Sequence, residues 1–125
     1  QLLGAFAASG LLKFLFPENL MLGTTLPAGS EMQSFILETI LTFFLVFTIF
    51  SVCKEKNNYA GIAIGFVILL EAMFAGPITG ASMNPFRSLA PALLSGNMQS
   101  LWLYLTAPIL GGILAMLTFK VFEKN

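Results

Sequence analysis

Six Glu, five Lys and one Arg carry nearly all the acid–base chemistry open to this 125-residue chain, which contains neither His nor Asp. A Ser-His-Asp or Cys-His arrangement therefore cannot be built within it, nor can a metal site that uses His. No Walker-type or G-x-G-x-x-G phosphate loop occurs. These absences argue against an enzyme and against a bound cofactor or metal. Cys53 is the sole cysteine, so no disulfide closes within the chain. Six basic residues balance six acidic ones, which gives no reason to expect a nucleic acid partner. What remains is a small set of polar side chains in apolar surroundings: Glu38, Glu71 and the run Asn84-Pro85-Phe86-Arg87. A carboxylate within an apolar span can couple a proton or an ion to transport. Taken alone, Asn84-Pro85 reads first as an ordinary helix cap, and the two glutamates read first as structural groups.

The elements that would carry these residues follow from the spacing of charge. Residues 88–119 form a 32-residue stretch without a charged side chain, whereas a bilayer-spanning helix needs roughly 20 apolar residues. The chain has room for about four such passages at most, and its partner is a lipid bilayer. Apolar runs bounded by charge or turn residues predict the end of one helix over 1–16, stopped by Pro17, and full spans over 32–53, 59–76 and 100–122. A polar connection covers 17–31, and a short charged turn, Lys54-Glu55-Lys56-Asn57-Asn58, separates the second and third pieces. The chain opens inside an apolar helical run without a Met, as a portion of something longer would.

Basic residues mark the cytoplasmic side. Lys54 and Lys56 put the 54–58 turn inside, Lys120 and Lys124 put the C-terminus inside, and 17–31, with only Glu18 and Glu31, lies outside. The span 59–76 then travels outward and 100–122 inward, so 77–99 must begin and end on the same outer face although it is nearly all apolar or small. It must dip into the membrane and return. Gly76 to Met83 is poor in helix-supporting residues, and 77–83 is predicted to be extended, lining a polar path, because lipid cannot satisfy its amides and carbonyls. Asn84 then caps a helix that opens on Pro85, runs to Leu94 and ends at Ser95-Gly96-Asn97. Ten residues at about 1.5 Å each cover about 15 Å, half of a hydrocarbon core about 30 Å thick. The partial positive charge of this half-helix faces the middle of the membrane and repels cations.

The run Gly76-Pro77-Ile78-Thr79-Gly80-Ala81-Ser82-Met83-Asn84-Pro85-Phe86-Arg87-Ser88-Leu89 resembles the second Asn-Pro-Ala signature of the aquaporin, or major intrinsic protein, family. Glu38-Thr39-Ile40-Leu41-Thr42-Phe43-Phe44-Leu45-Val46-Phe47 is similar to its fourth helix, Gln1 with Gly4-Ala5 to its third, and Trp102-Leu103-Tyr104 with Pro108 to its sixth. The resemblance implies an all-α membrane protein, the second inverted repeat of an aquaporin-like bundle, with about three and a half transmembrane helices and a re-entrant half-helix over 77–94. It implies a missing N-terminal half, a homotetramer, residence in the cell (inner) membrane, and passive conduction of water and small uncharged solutes without ions or protons. In that role the Asn84 amide donates to the solute, the carbonyls of Gly80, Ala81 and Ser82 accept from it, and Arg87 sits at an outer filter with Ala72 and Ala81. Phe86 stands where the family usually has Ala. Two Ala at the filter and no His anywhere resemble nodulin-26-like proteins and their bacterial relatives, which pass glycerol, urea or metalloid hydroxides; a water-selective channel is the alternative within the family. An ion- or proton-coupled transporter with a broken helix is the alternative outside it, with Glu38 or Glu71 as coupling group.

Depth arithmetic puts Glu38 and Glu71 about 7 to 9 Å below the outer boundary and Arg87 about 4 to 5 Å above the midplane. A charge at the centre of a membrane helix costs about 2.5 to 3.5 kcal/mol on insertion scales. Both glutamates are therefore expected to be held by hydrogen bonds from the 77–83 backbone or from Arg87. Gly61 and Gly65 are expected to allow close helix packing within the protomer, the Phe residues of 43–50 to face lipid or core, and Trp102 with Tyr104 to form an interfacial belt.

Overall fold

A helix that is apolar on every side has no preferred face toward water and belongs in lipid or a large core. The computed structural model describes residues 1–54 and 58–123, and three helices of this kind dominate it: α2 (Glu31–Lys54), α3 (Ala60–Thr79) and α5 (Leu101–Glu123), each long and apolar enough to cross a membrane. At about 1.5 Å per residue they extend about 30 to 36 Å. Among the described residues there are two shorter helices as well, α1 (Leu2–Leu15) and α4 (Pro85–Ser95), and no strand. Glu55, Lys56 and Asn57 of the charged turn, and Lys124, lie outside the described residues.

The long helices α2 and α5 pack against each other over most of their length. Gly111 makes this possible, because a Cβ there would overlap the Thr39 carbonyl oxygen and lie 3.0 Å from Phe43 N. Below that crossing an aromatic cluster fills the seam. Phe43 stacks on Phe47 at 5.9 Å, and Phe119 meets Phe47 at 6.1 Å and Phe50 at 5.5 Å. Several of the Phe residues of 43–50 thus pack between helices. Lys54 Nζ reaches Glu123 Oε1 at 3.1 Å at the same end, with both side chains about half exposed, so the pair adds little in water. At the opposite end Glu31 accepts hydrogen bonds from Ser100 Oγ and, at 3.2 Å, from Trp102 Nε1, while Trp102 stacks on Phe35 at 5.7 Å.

Tyr104 departs from the expected belt. It is fully buried, and its hydroxyl donates to the Thr79 carbonyl at 2.7 Å, tying α5 to the end of α3. Position 104 lies on the face of α5 that meets the other helices, which hydropathy alone does not distinguish. Tyr104→Phe is expected to destabilise the fold by about 1–2 kcal/mol, the cost of a buried acceptor left without its partner. Thermal unfolding in detergent would read this as a lowered midpoint.

The end of α3 also differs from expectation. Pro77 does not stop the helix, which continues to Thr79 and closes at Gly80, whose N–H bonds to Gly76 O and whose φ of +82° is a left-handed cap. The turn signal at Gly76-Pro77 is overridden because Thr79 is held from two sides, by Tyr104 and by Glu38. Gly61 and Gly65 are not packed by any other described part of the chain. They line an open groove on α3 with Ile62, Phe66 and Leu69, so the expected close packing within these residues is not found.

Candidate functional site

Five residues between α3 and α4 form the turn on which the candidate site is built. Gly80, Ala81 and Met83 all have positive φ, at +82°, +42° and +51°, and a non-glycine residue in that region costs of order 1–3 kcal/mol. The turn persists because the surrounding groups leave it no alternative. Glu38, fully buried on α2, accepts three hydrogen bonds: Oε1 from Thr79 Oγ1 at 2.7 Å and Ser82 N at 2.8 Å, and Oε2 from Met83 N at 2.8 Å. Ala81 N donates to Thr79 Oγ1 at 3.0 Å. The carboxylate thus replaces the hydrogen bonds that water would supply to this irregular backbone, which lipid cannot.

Asn84 follows with extended backbone and caps α4, its Oδ1 accepting from Phe86 N at 2.9 Å and Arg87 N at 3.4 Å. Pro85 occupies the first helical position, where its missing N–H leaves nothing unsatisfied. With Oδ1 engaged, the donor end of the amide is turned outward. Its Nδ2 donates to Gln1 Oε1 on the α1 side at 3.3 Å, which accounts for one of its two hydrogens. Helix α4 ends at Gly96, with φ +77°. Eleven residues give about 16 Å.

Two clefts flank this turn. One, of about 310 Å³, is lined by Ala81, Ser82, Met83, Asn84 and Arg87 together with Leu45 of α2 and Ile68 of α3. The other, of about 430 Å³, lies between α1 and α4 and takes Phe86, Asn84 and Arg87 with Gln1, Ser9 and Gly23. Asn84 and Arg87 border both. Of the residues singled out in the sequence, Ala81, Ser82, Asn84 and Arg87 therefore meet on one cleft. Phe86 borders the α1 side instead. Gly80 backs onto the connection between α1 and α2, where a Cβ would come within 3.0 Å of Thr25 Cγ2. Ala72 is exposed on α3 and is not part of the cleft wall, whereas Ile68, one turn earlier, is. Leu45 and Ile68 were not singled out in the sequence. Helical spacing holds the signal, since Leu45 lies two turns after Glu38 and Ile68 one turn before Ala72.

Arg87 donates from Nη1 to the Gly23 carbonyl at 2.9 Å. Among the described residues it forms no ion pair with Glu38 or Glu71. The expected support of Glu71 is not found either. Its side chain is 9% exposed, and neither carboxyl oxygen has a hydrogen-bond partner among the described residues. Position 71 precedes Thr79 by eight residues, about 12 Å along the helix, and Glu38 already takes the donors that the turn offers.

The profile of the major intrinsic proteins matches residues 1–119. The chain belongs to the major intrinsic protein family. It is 44% identical over 125 residues to nodulin-26 of Glycine max, an alignment that covers 97% of this chain and 46% of that protein. It is 42% identical over 127 residues to aquaporin NIP1-1 of Oryza sativa subsp. japonica, covering 98% and 45%, and 41% identical over 137 residues to aquaporin NIP3-1 of Arabidopsis thaliana, covering 100% and 42%. The chain thus spans less than half the length of these relatives. Its likeness within the major intrinsic proteins is to nodulin-26-like members, and with three apolar spanning helices it is a multi-pass integral membrane protein.

Proposed function

We propose that this chain is the second inverted repeat of a passive channel for water and small uncharged solutes of the glycerol, urea or metalloid hydroxide type, and that it has no enzymatic activity. The observation that carries the reading is the turn 80–84 between α3 and α4. It brings Ala81, Ser82, Asn84 and Arg87 to one cleft at the N-terminus of a helix only half a membrane long. In this reading α1 is the end of the third helix of the whole channel, α2 and α3 are the fourth and fifth, α5 is the sixth, and the turn after Thr79 with α4 forms the re-entrant segment.

The Asn84 amide would hand hydrogen bonds to the solute, the carbonyls of Gly80, Ala81 and Ser82 would accept from it, and Arg87 with Ala81 would form the outer constriction. A positive helix end and a guanidinium beside the path oppose cations and protons. Glu38 would be structural, since its carboxyl is already occupied by three donors. The small side chain at 81 and the likeness to nodulin-26-like relatives favour a solute-permissive filter. The C-terminus would be cytoplasmic, the membrane the cell (inner) membrane, and the assembly a homotetramer.

A coupled transporter is the second reading, favoured by the unpaired buried carboxyl of Glu71. Stopped-flow measurements on the full-length protein in liposomes separate the readings. The expected result is glycerol and urea flux that follows the solute gradient alone. Rapid water flow without either solute would make the filter water-selective, and flux that depends on an imposed proton or sodium gradient would overturn the channel.

A further inference from the structure

We infer that Thr25, in the connection between α1 and α2, is a positioning residue for the selectivity of the pore turn, acting through a buried chain of hydroxyls. This rests on the channel reading above. Thr25, Ser82 and Ser88 are 4%, 5% and 0% exposed. Thr25 Oγ1 lies 2.6 Å from Ser88 Oγ, Ser88 Oγ lies 2.6 Å from Ser82 Oγ, and Ser82 Oγ donates to the Asn84 carbonyl at 2.9 Å.

Each hydroxyl carries one hydrogen, so the direction of the chain is fixed by its last bond. Ser82 spends its hydrogen on Asn84 O and must accept from Ser88. Ser88 then has none left for Thr25 and must accept from it. Thr25 is therefore the head donor of a polarised relay that ends on the peptide between Asn84 and Pro85. Bonds linked in this way strengthen one another in a low-dielectric interior.

Ser82 is where this relay meets the support from the other side, because its N–H is held by Glu38. The turn with its positive-φ residues Ala81 and Met83 is thus gripped from α2 by a carboxylate and from the connection between α1 and α2 by Thr25. The same connection is tied down independently, through Ala28 N to Ile78 O at 2.9 Å and Gly23 O to Arg87. Loss of the Thr25 hydroxyl therefore leaves the connection in position and releases only the relay. The consequence falls on the register of Ser82, Asn84 and Ala81 in the cleft, hence on which solutes pass.

The test uses the full-length channel in liposomes and reads the ratio of glycerol to water permeability, a quantity that lower expression or partial unfolding would scale out. Thr25→Val keeps the shape and removes the donor. It is expected to change the ratio about three- to tenfold, the range set by one net hydrogen bond, while Thr25→Ser retains the wild-type ratio. Ser88→Ala cuts the same relay in its middle, and the double variant is expected to change the ratio no further than Ser88→Ala alone. Wild-type ratios in both Thr25→Val and Ser88→Ala, or effects that simply add in the double variant, would overturn the proposal. If Thr25→Val does not reach the membrane, the Ser88→Ala and Thr25→Ser arms decide it by the same criteria. Absence of passive flux in the wild-type protein would instead count against the channel reading.

Discussion

Glu38→Ala is expected to abolish solute flux in the full-length protein and to leave it aggregated or proteolysed when extracted in detergent. The size of the effect follows from what the carboxylate holds. Thr79 Oγ1, Ser82 N and Met83 N all lose their acceptor together. Each buried donor left unsatisfied costs about 1–3 kcal/mol; Thr79 Oγ1 retains only a long bond to Ala75 O at 3.4 Å, and the loss at Ser82 N and Met83 N alone is a large share of the stability of a typical domain, about 5–15 kcal/mol. The positive φ values of Ala81 and Met83 then have nothing to maintain them. Glu38→Gln is the milder case. Its amide oxygen can still accept from Thr79 and Ser82, but the amide nitrogen would face the N–H of Met83, donor against donor. We expect that variant to assemble with reduced thermal stability and reduced flux. Size-exclusion profiles beside stopped-flow rates would read both, and a Glu38→Ala protein that conducts normally would remove the carboxylate from its structural role.

The second large effect is expected at Gly111. A Cβ there would run into the Thr39 carbonyl and stand 3.0 Å from both Phe43 N and Thr42 Cβ. Two of these three obstacles are backbone of α2, which cannot turn aside as a side chain can. Gly111→Val should force the helices apart at their crossing and destabilise by about 3 kcal/mol, the upper part of the range for overpacking. The neighbouring glycine provides the control. A Cβ on Gly112 would meet only Val46 Cγ2 at 3.9 Å, an ordinary contact, so Gly112→Ala should be nearly silent. Thermal melts of the two variants in one detergent would distinguish a specific crossing point from a general intolerance of substitution on α5; equal melting points would speak against the crossing.

Both effects arise from long-range contacts, and this explains what the sequence could and could not convey. The ends of α4 are legible in Asn84-Pro85 and Gly96 because a helix terminus must satisfy its own orphan groups locally. The three long helices are legible from length and apolarity alone. The extension of α3 past Pro77 is not, because it depends on Glu38 and Tyr104, 41 and 25 residues from Thr79. Burial of Tyr104 is hidden for a related reason, since an aromatic residue near a helix start reads the same whether it faces headgroups or a neighbouring carbonyl. Helix α3 is so uniformly apolar that nothing marks which face Ala72 presents, and the structure puts Ile68 rather than Ala72 on the cleft. Glu71 shows the limit most plainly: a search along the chain finds the buried acid, but only the fold reveals that the available donors are taken by Glu38.

The two ties on Thr79 also have an order in time. Synthesis proceeds from the N-terminus, so Glu38 and the turn it satisfies are both made before α5 exists, and Tyr104 arrives last. A nascent chain in hydrocarbon has no water to hold a carboxylate while it waits. Here the partner for that carboxylate emerges before α4 and α5 do, and α5 closes onto a pair that is already mated.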